Sequence, residues 1–521
     1  MAAEVSAQAA EAPIVLALDI GTSSVRAAFY DGRGREITET ETRIVRGFTS
    51  TPDGGAEASA DELVEQAVHV LTFAITHSPL LAAQTRAVAV SCFWHSLVGV
   101  DVQGAALTPV YGWADTRAAG AAEQLRANLD ETEAHRRTGC RFHSSYWPAK
   151  LLWLQTTQPE IFARVRRWLG FSEFLYERLC GENARGTISL SMASGTGLFD
   201  ARACVWDEEL LRAVRLNIEQ LPTLYSTGAE FRLASETIAR YSSLALIAGA
   251  QWMLPTGDGA TNNIGTGCTS PARVGLMIGT SGAMRVLFEG EVPTDVPPGL
   301  WRYRADEKRV IIGGALSDGG GLREWMTETM TVGHDAEAIE AQLTAMQPDA
   351  HGLTLVPCWA GERSTGWSAH ARGAILGFTM DTRPVEILRA AMEAVAYRFA
   401  LIAQSLEAFA PGAEIRASGG GIRASPAWTQ IIADVMLRPV RLASVREASS
   451  RGVVLLALEA LGAIRIMDEL PAPVGRSFEP NRSNHARYMA GMERQQTLYK
   501  TLVEDEQIAR MIDYAGEQTG L

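Results

Sequence analysis

Lysine is almost missing from this sequence. Lys150, Lys308 and Lys500 are the only ones, although Lys and Arg together number 47. Lysine chemistry is therefore confined to these positions, and no Gly-Lys-Ser or Gly-Lys-Thr triplet occurs. A Walker-type phosphate loop is excluded on that ground. The protein-kinase triplets His-Arg-Asp and Asp-Phe-Gly are absent as well. Cysteine is sparse and scattered, at Cys92, Cys140, Cys180, Cys204, Cys268 and Cys358, with no C-x-x-C pair. That spacing argues against a zinc site or a redox pair, and reduced, dispersed thiols fit a cytoplasmic protein. Positive charge is not in excess either. The formal net charge is −13, which offers no footprint for nucleic acid. No uncharged apolar run approaches the roughly 18 residues of a membrane span, so no membrane partner is expected. The opening MAAEVSAQAAEAP has no basic n-region. It reads as a disordered tail over residues 1–12 rather than a signal peptide.

What is present is one phrase said twice. Residues 20–32 read IGTSSVRAAFYDG and residues 278–290 read IGTSGAMRVLFEG. The copies lie 258 residues apart in a chain of 521. That period is too long for a solenoid repeat and suggests two related domains, each of about 250 residues. Each copy predicts a strand, a tight turn and a returning strand. IVLALDI before the first is a continuous apolar run, read as a buried strand. EITETETRIV predicts a third strand, RAVAVSCF a further buried one, and helices are expected over 60–80, 118–137, 384–409 and 452–464. The domains are placed at 13–268 and 269–478, with a helical arm at 479–521.

Four stretches carry chemistry. In LDIGTSSVRA, Gly21 permits a tight turn, and the backbone N–H groups around Thr22 and Ser23 can converge on an anion. Arg26 adds a nearby cation, and Asp19 ends the strand where a hard cation such as Mg²⁺ could be held. Alone, this is equally a plain hairpin turn. The second copy, with Gly279, Thr280 and Ser281, favours a pair of anion-holding turns. The copies differ in one respect: Met277 stands where the first has Asp19. The third stretch, SGGGIRASPAWTQIIADV, runs three glycines at 419–421 into a helix starting near Ser425-Pro426. It suits a planar ligand lying flat on backbone, or simply a tight strand-to-helix turn. The fourth is GDGATNN. Asp258 stands between two glycines before a helix, exposed as a base or acting as an N-cap.

Taken in order, these motifs resemble the FGGY carbohydrate kinases, within the actin-like, sugar kinase and Hsp70 superfamily. AKLLWL at 149–154 and the segment from AGERSTGW to ARGAILG at 360–377 add to the resemblance, which covers roughly residues 13–475. It implies an α/β fold of duplicated actin-like (ribonuclease H-like) ATPase domains flanking a central cleft. It implies ATP and Mg²⁺, with Asp19 positioning the metal. The turns Gly21–Ser23 and Gly279–Ser281, with Arg26, would hold the phosphates. Gly320, Gly420, Gly421 and Ser425 would border the nucleotide, and Asp258 would be the catalytic base. The other ligand is a small sugar or sugar acid. A homodimer is one assembly open to it.

The sugar would sit near Trp94, His95, Trp113, Asp115, Arg117 and Asp258. An aromatic face with Asp and Arg grips a polyol by stacking and paired hydrogen bonds, although Trp113 also reads as core and Asp115–Arg117 as a surface turn. His-Ser after the strand, Trp-Ala-Asp-x-Arg, Gly259 and SGTGLFD at 194–200 resemble gluconate kinases. Xylulose kinases tend to have His-Gly and Trp-Asn-Asp. D-gluconate is thus the first expectation and xylulose or another ketose or polyol the second; a non-sugar ATPase switch or a pseudokinase is more remote. Trp94 stands where Met is usual, and RFHSSYWPAK departs from the usual pattern while keeping His143. Gluconate's carboxylate calls for an added cation or donor, and Arg117, Arg141, His143 and Lys150 are the candidates by motif proximity.

Overall fold

The computed structural model describes residues 3–505 and 508, apart from 46, 227–230 and 369. The repeated phrase folds the same way in both halves. Strand Ile14–Ile20, with all seven residues buried, turns back into the antiparallel strand Ser24–Tyr30. On its other side it pairs in parallel with Thr85–Cys92, which pairs in parallel with Gln251–Trp252 and Thr256–Gly257. In the second half, Arg273–Ile278 turns back into Gly282–Glu289 and pairs in parallel with Glu414–Ser418, which pairs in parallel with Val440–Ala443. Each sheet is therefore a hairpin followed by parallel strands, the duplicated α/β architecture that the repeat predicts. Continuous apolar runs such as RVIIGGAL at Arg309–Leu316 are buried along their whole length, as strands covered on both faces must be.

Three expectations change. The segment read as a disordered tail is ordered from residue 3, because Glu4–Val5 pairs in parallel with the short strand Glu36–Ile37 at the sheet edge. The stretch read as one third strand is two short ones, Glu36–Ile37 and Thr42–Val45. The helix expected over 118–137 is two, Ala119–Asn128 and Glu131–Thr138. Asp130 caps the second by accepting from the amides of Thr132 and Glu133.

The halves also exchange cover. Helix Ala448–Ala460 belongs to the second half of the chain but packs against strands Ile14–Ile20 and Thr85–Cys92 and against helix Asp258–Gly265. Glycines set this close crossing. A Cβ on Gly265 would lie 1.8 Å from the Ala448 carbonyl oxygen, and one on Gly452 would lie 1.8 Å from that of Thr261. Arg451 ties the crossing by donating to the carbonyls of Gly265 at 2.9 Å and Leu470 at 2.7 Å. The arm begins as helix Arg482–Tyr499, packed on helices Pro384–Leu406 and Pro426–Met436; most of the arm beyond 505 lies outside the described residues. All six cysteines are free, and no helix among the described residues is long and apolar enough to cross a membrane.

Candidate active site

The two turns face one another across a cleft of about 790 Å³. Each turn is closed by its own backbone. The Gly21 amide donates to the Ser24 carbonyl and the Gly279 amide to the Ser281 carbonyl, both at 2.9 Å. Gly21, Thr22, Ser23 and Arg26 line one wall; Gly279, Thr280, Gly320, Gly420 and Gly421 line the other. Glycines bring the backbone of the second wall to the cleft surface. The Gly320 amide donates to Gly279 at 2.7 Å, and a Cβ on Gly320 would lie 2.5 Å from the Gly279 oxygen and 3.3 Å from the Gly421 Cα. Larger residues would force apart the turn at Gly279 and the two helix starts at Gly320 and Gly420–Gly421. Gly419 sits at φ +98°, where L side chains are strained.

Strand register places the carboxylates. Asp19 pairs with Ser91 on the neighbouring strand, and Ser91 pairs with Thr256 on the next. Asp258 therefore emerges just past the strand end, two strands from Asp19, as the first residue of helix Asp258–Gly265. Burial raises the Asp19 carboxyl above its ordinary range, and Arg26 at 3.6 Å opposes this. Burial also pushes the Asp258 carboxyl up to about 6, with Arg285 pulling it down. A half-buried carboxylate poised near neutral pH can accept a proton from a hydroxyl. The glycines beside it have a purpose the sequence did not reveal. A Cβ on Gly257 would lie 1.9 Å from the indole of Trp94, and one on Gly259 would lie 2.6 Å from it. They make room for a tryptophan packed directly behind the carboxylate.

Several site residues behave differently from expectation. Trp94 is buried beneath the Asp258 turn and donates to the Ser191 carbonyl at 2.9 Å, so it is a wall rather than an open stacking face. Arg26 is paired with both Asp19 and Glu447, which leaves it little charge to spend on a phosphate. Ser425 does not reach the cleft: it is fully buried, caps helix Pro426–Met436 and bonds Glu340. The Arg117 guanidinium is taken up by Asp115 at 2.6 Å and Glu57 at 2.7 Å, and the Asp115 carboxylate also accepts from the Ala56 amide at 3.2 Å. These two residues brace a loop. Arg141 is held by Glu131, and buried Lys150 donates to the carbonyls of His95 at 3.0 Å and Ser145 at 2.8 Å. Burial moves Lys150 down to about 7.

Trp113, His95 and His143 do come together, in a wall that both halves build. The Trp113 ring lies under the Arg363 guanidinium at 4.3 Å. The His95 ring is 5.1 Å from Tyr146 and 5.8 Å from Tyr303, and the two tyrosine hydroxyls are hydrogen-bonded at 2.6 Å. His143 packs 5.5 Å from Trp367. Burial holds both histidines neutral, near 3. Sequence reasoning missed Arg285 and Arg363, although both lie inside motifs it quoted. The signal was available for Arg285: it stands in the middle of GAMRVLF, a strand too apolar to hold an unpaired cation without a reason.

Residues 14–248 match the FGGY family of carbohydrate kinases, N-terminal domain, and residues 275–461 match its C-terminal domain. Gluconokinase of Bacillus subtilis is 28% identical over 477 residues, spanning 89% of this chain and 91% of that protein. Glycerol kinase of Koribacter versatilis is 29% identical over 485 residues, spanning 90% and 94%. The crystal structure of gluconate kinase from Lactobacillus acidophilus superposes with a TM-score of 0.83 at 24% identity, covering 94% of this chain and 98% of that one, a likeness of fold. The chain belongs to the FGGY family of carbohydrate kinases and is an ATP-dependent phosphotransferase acting on a sugar hydroxyl.

Proposed function

We propose that this kinase phosphorylates D-gluconate at its terminal hydroxyl, giving 6-phosphogluconate. The observation that carries the reading of the site is Asp258, set beside two opposed glycine turns with its carboxyl near 6. Similarity to gluconokinases supports the choice of acceptor. In this reading Asp258 takes the proton of the acceptor hydroxyl as the γ-phosphoryl group moves in line. The backbone amides of both turns meet the phosphate oxygens. Asp19, a buried oxygen donor at the cleft wall, suits Mg²⁺, which would neutralise phosphate charge there. His95 and Trp113 form the acceptor wall, and contact between the halves excludes water from it. A panel of gluconate, xylulose, glycerol and other polyols, with ADP formation coupled to a colour change, tests the assignment. Gluconate should give the highest kcat/KM. Turnover of neutral sugars without turnover of gluconate would overturn it.

A further inference from the structure

Among the described residues most buried guanidinium groups are tied to carboxylates or main-chain carbonyls, although single Nε atoms of Arg26, Arg141, Arg302 and Arg323 also lack a hydrogen-bond partner. Arg389 bonds Glu393, Arg398 bonds Glu362, and Arg309 bonds Asp306 and Glu459. Arg302 and Arg451 each donate to main-chain carbonyls. Arg285 is 8% exposed, yet its side chain has no hydrogen bond or ion pair among the described residues, and its Nε and Nη1 are both buried without a partner. Among the described residues Arg363 gives one bond, from Nη2 to the Leu316 carbonyl at 2.9 Å, and its Nε is likewise buried without a partner. The two cations repel each other, and Asp258 is the carboxylate whose charge offsets them. No ion pair joins either to Asp258 within 4.0 Å. Guanidinium donors buried without a partner are incomplete without an anion.

The phosphate side of the cleft does not account for Arg363. The cleft between the glycine turns is lined by Arg285 but not by Arg363. Arg363 lies instead over the Trp113 ring, and its charge is felt by His95 and His143 on the acceptor wall. A guanidinium held over an aromatic ring keeps its N–H donors free at its edges, and their fork suits a carboxylate.

We propose that Arg363 recognises the carboxylate of the acceptor, so that the enzyme selects a sugar acid over the neutral polyol of the same carbon skeleton. The proposal rests on the reading of this site as a sugar-acid kinase. It replaces Arg117, Arg141 and Lys150, whose charges the fold uses elsewhere.

The test compares gluconate with glucitol in the wild-type enzyme and in Arg363→Met and Arg363→Lys. Removing one member of a buried charge pair should lower the gluconate-to-glucitol ratio of kcat/KM at least about 30-fold in Arg363→Met, chiefly through KM. Arg363→Lys should recover part of the ratio, and gluconate binding measured by calorimetry without nucleotide should weaken in parallel. Because the readout is a ratio within one variant, partial misfolding cancels. An unchanged ratio overturns the proposal. So does an equal fall in kcat for both acceptors, which would assign Arg363 to the transferring phosphoryl group. Those outcomes leave gluconate as the substrate. A wild-type enzyme that takes only neutral acceptors refutes the gluconate reading itself.

Discussion

Replacing Asp258 by Asn should remove activity and add stability. The fold holds this carboxyl at about 6 against an ordinary 3.8, with burial as the main cause and Arg285 opposing it. A raised carboxyl favours the protonated form in the folded state. Its contribution to stability is complete below pH 3.8, fades as pH rises and is lost above about pH 6. At pH 8 the ionised group costs about 3 kcal/mol, or about 2 after allowing for the water that reaches a half-buried side chain. Asn has nearly the same shape and cannot ionise, so the variant escapes that cost. Spread over a domain of about 250 residues, this corresponds to a melting temperature raised by roughly 3–6 °C at pH 8. The gain should shrink towards zero near pH 4, where the wild-type group is protonated as well. Scanning calorimetry at pH 4, 6 and 8 measures it, and coupled ADP release should show turnover reduced at least about 10²-fold in the same preparation. A variant no more stable than wild type at pH 8, or a difference that does not change with pH, would refute the argument that burial sets the state of this carboxylate.

The same carboxyl predicts a pH profile: kcat/KM should fall about tenfold per pH unit below about pH 6, and a flat profile from pH 5 to 8 would contradict a base of this kind. Gly257→Ala puts a Cβ 1.9 Å from the Trp94 indole, so it should displace Asp258 and cut kcat about 10²-fold; adding Trp94→Leu should restore part of the loss, and equal kinetics in single and double variants would speak against the clash. Gly452→Ala drives a methyl into the Thr261 carbonyl at the helix crossing and should cost about 1–3 kcal/mol or more, read as a lower denaturation midpoint; unaltered melting would mean that the crossing is looser than its geometry.

The architecture was legible because its signal is local. A continuous apolar run, a glycine turn and a second run specify a hairpin without help from distant residues, and the phrase occurs twice. Asp258 was legible for a related reason, since flanking glycines mark a special backbone. What they mark, however, is the Trp94 ring, which lies more than 160 residues away in sequence. Arg117 shows the opposite error. Its motif pointed to the acceptor, yet Glu57, from a strand the motif does not include, consumes its charge. The exchanged helix Ala448–Ala460 was hidden too, because periodicity defines an apolar face but not the sheet that receives it.

At the 258-residue offset that relates the two copies, Asp19 corresponds to Met277 and Ala27 to Arg285. One copy carries a carboxylate on an apolar strand, and the other a cation in the apolar middle of its returning strand. The first copy's own arginine, Arg26, is neutralised by Asp19 and by Glu447, and Glu447 precedes the helix that the second half lends to the first. The free positive charge near Asp258 therefore comes from the second half, through Arg285 and Arg363. The wall it faces comes from the first, through Trp113, His95 and Tyr146. The contacts that join them, Arg363 on Trp113 and Tyr303 on Tyr146, exist only while the halves are together. Opening the cleft would separate the cations from this aromatic wall and admit water to both. In the proposed reading of this site, acceptor recognition and exclusion of water are a single event, and a kinase built this way gains little by hydrolysing ATP when no acceptor bridges its halves.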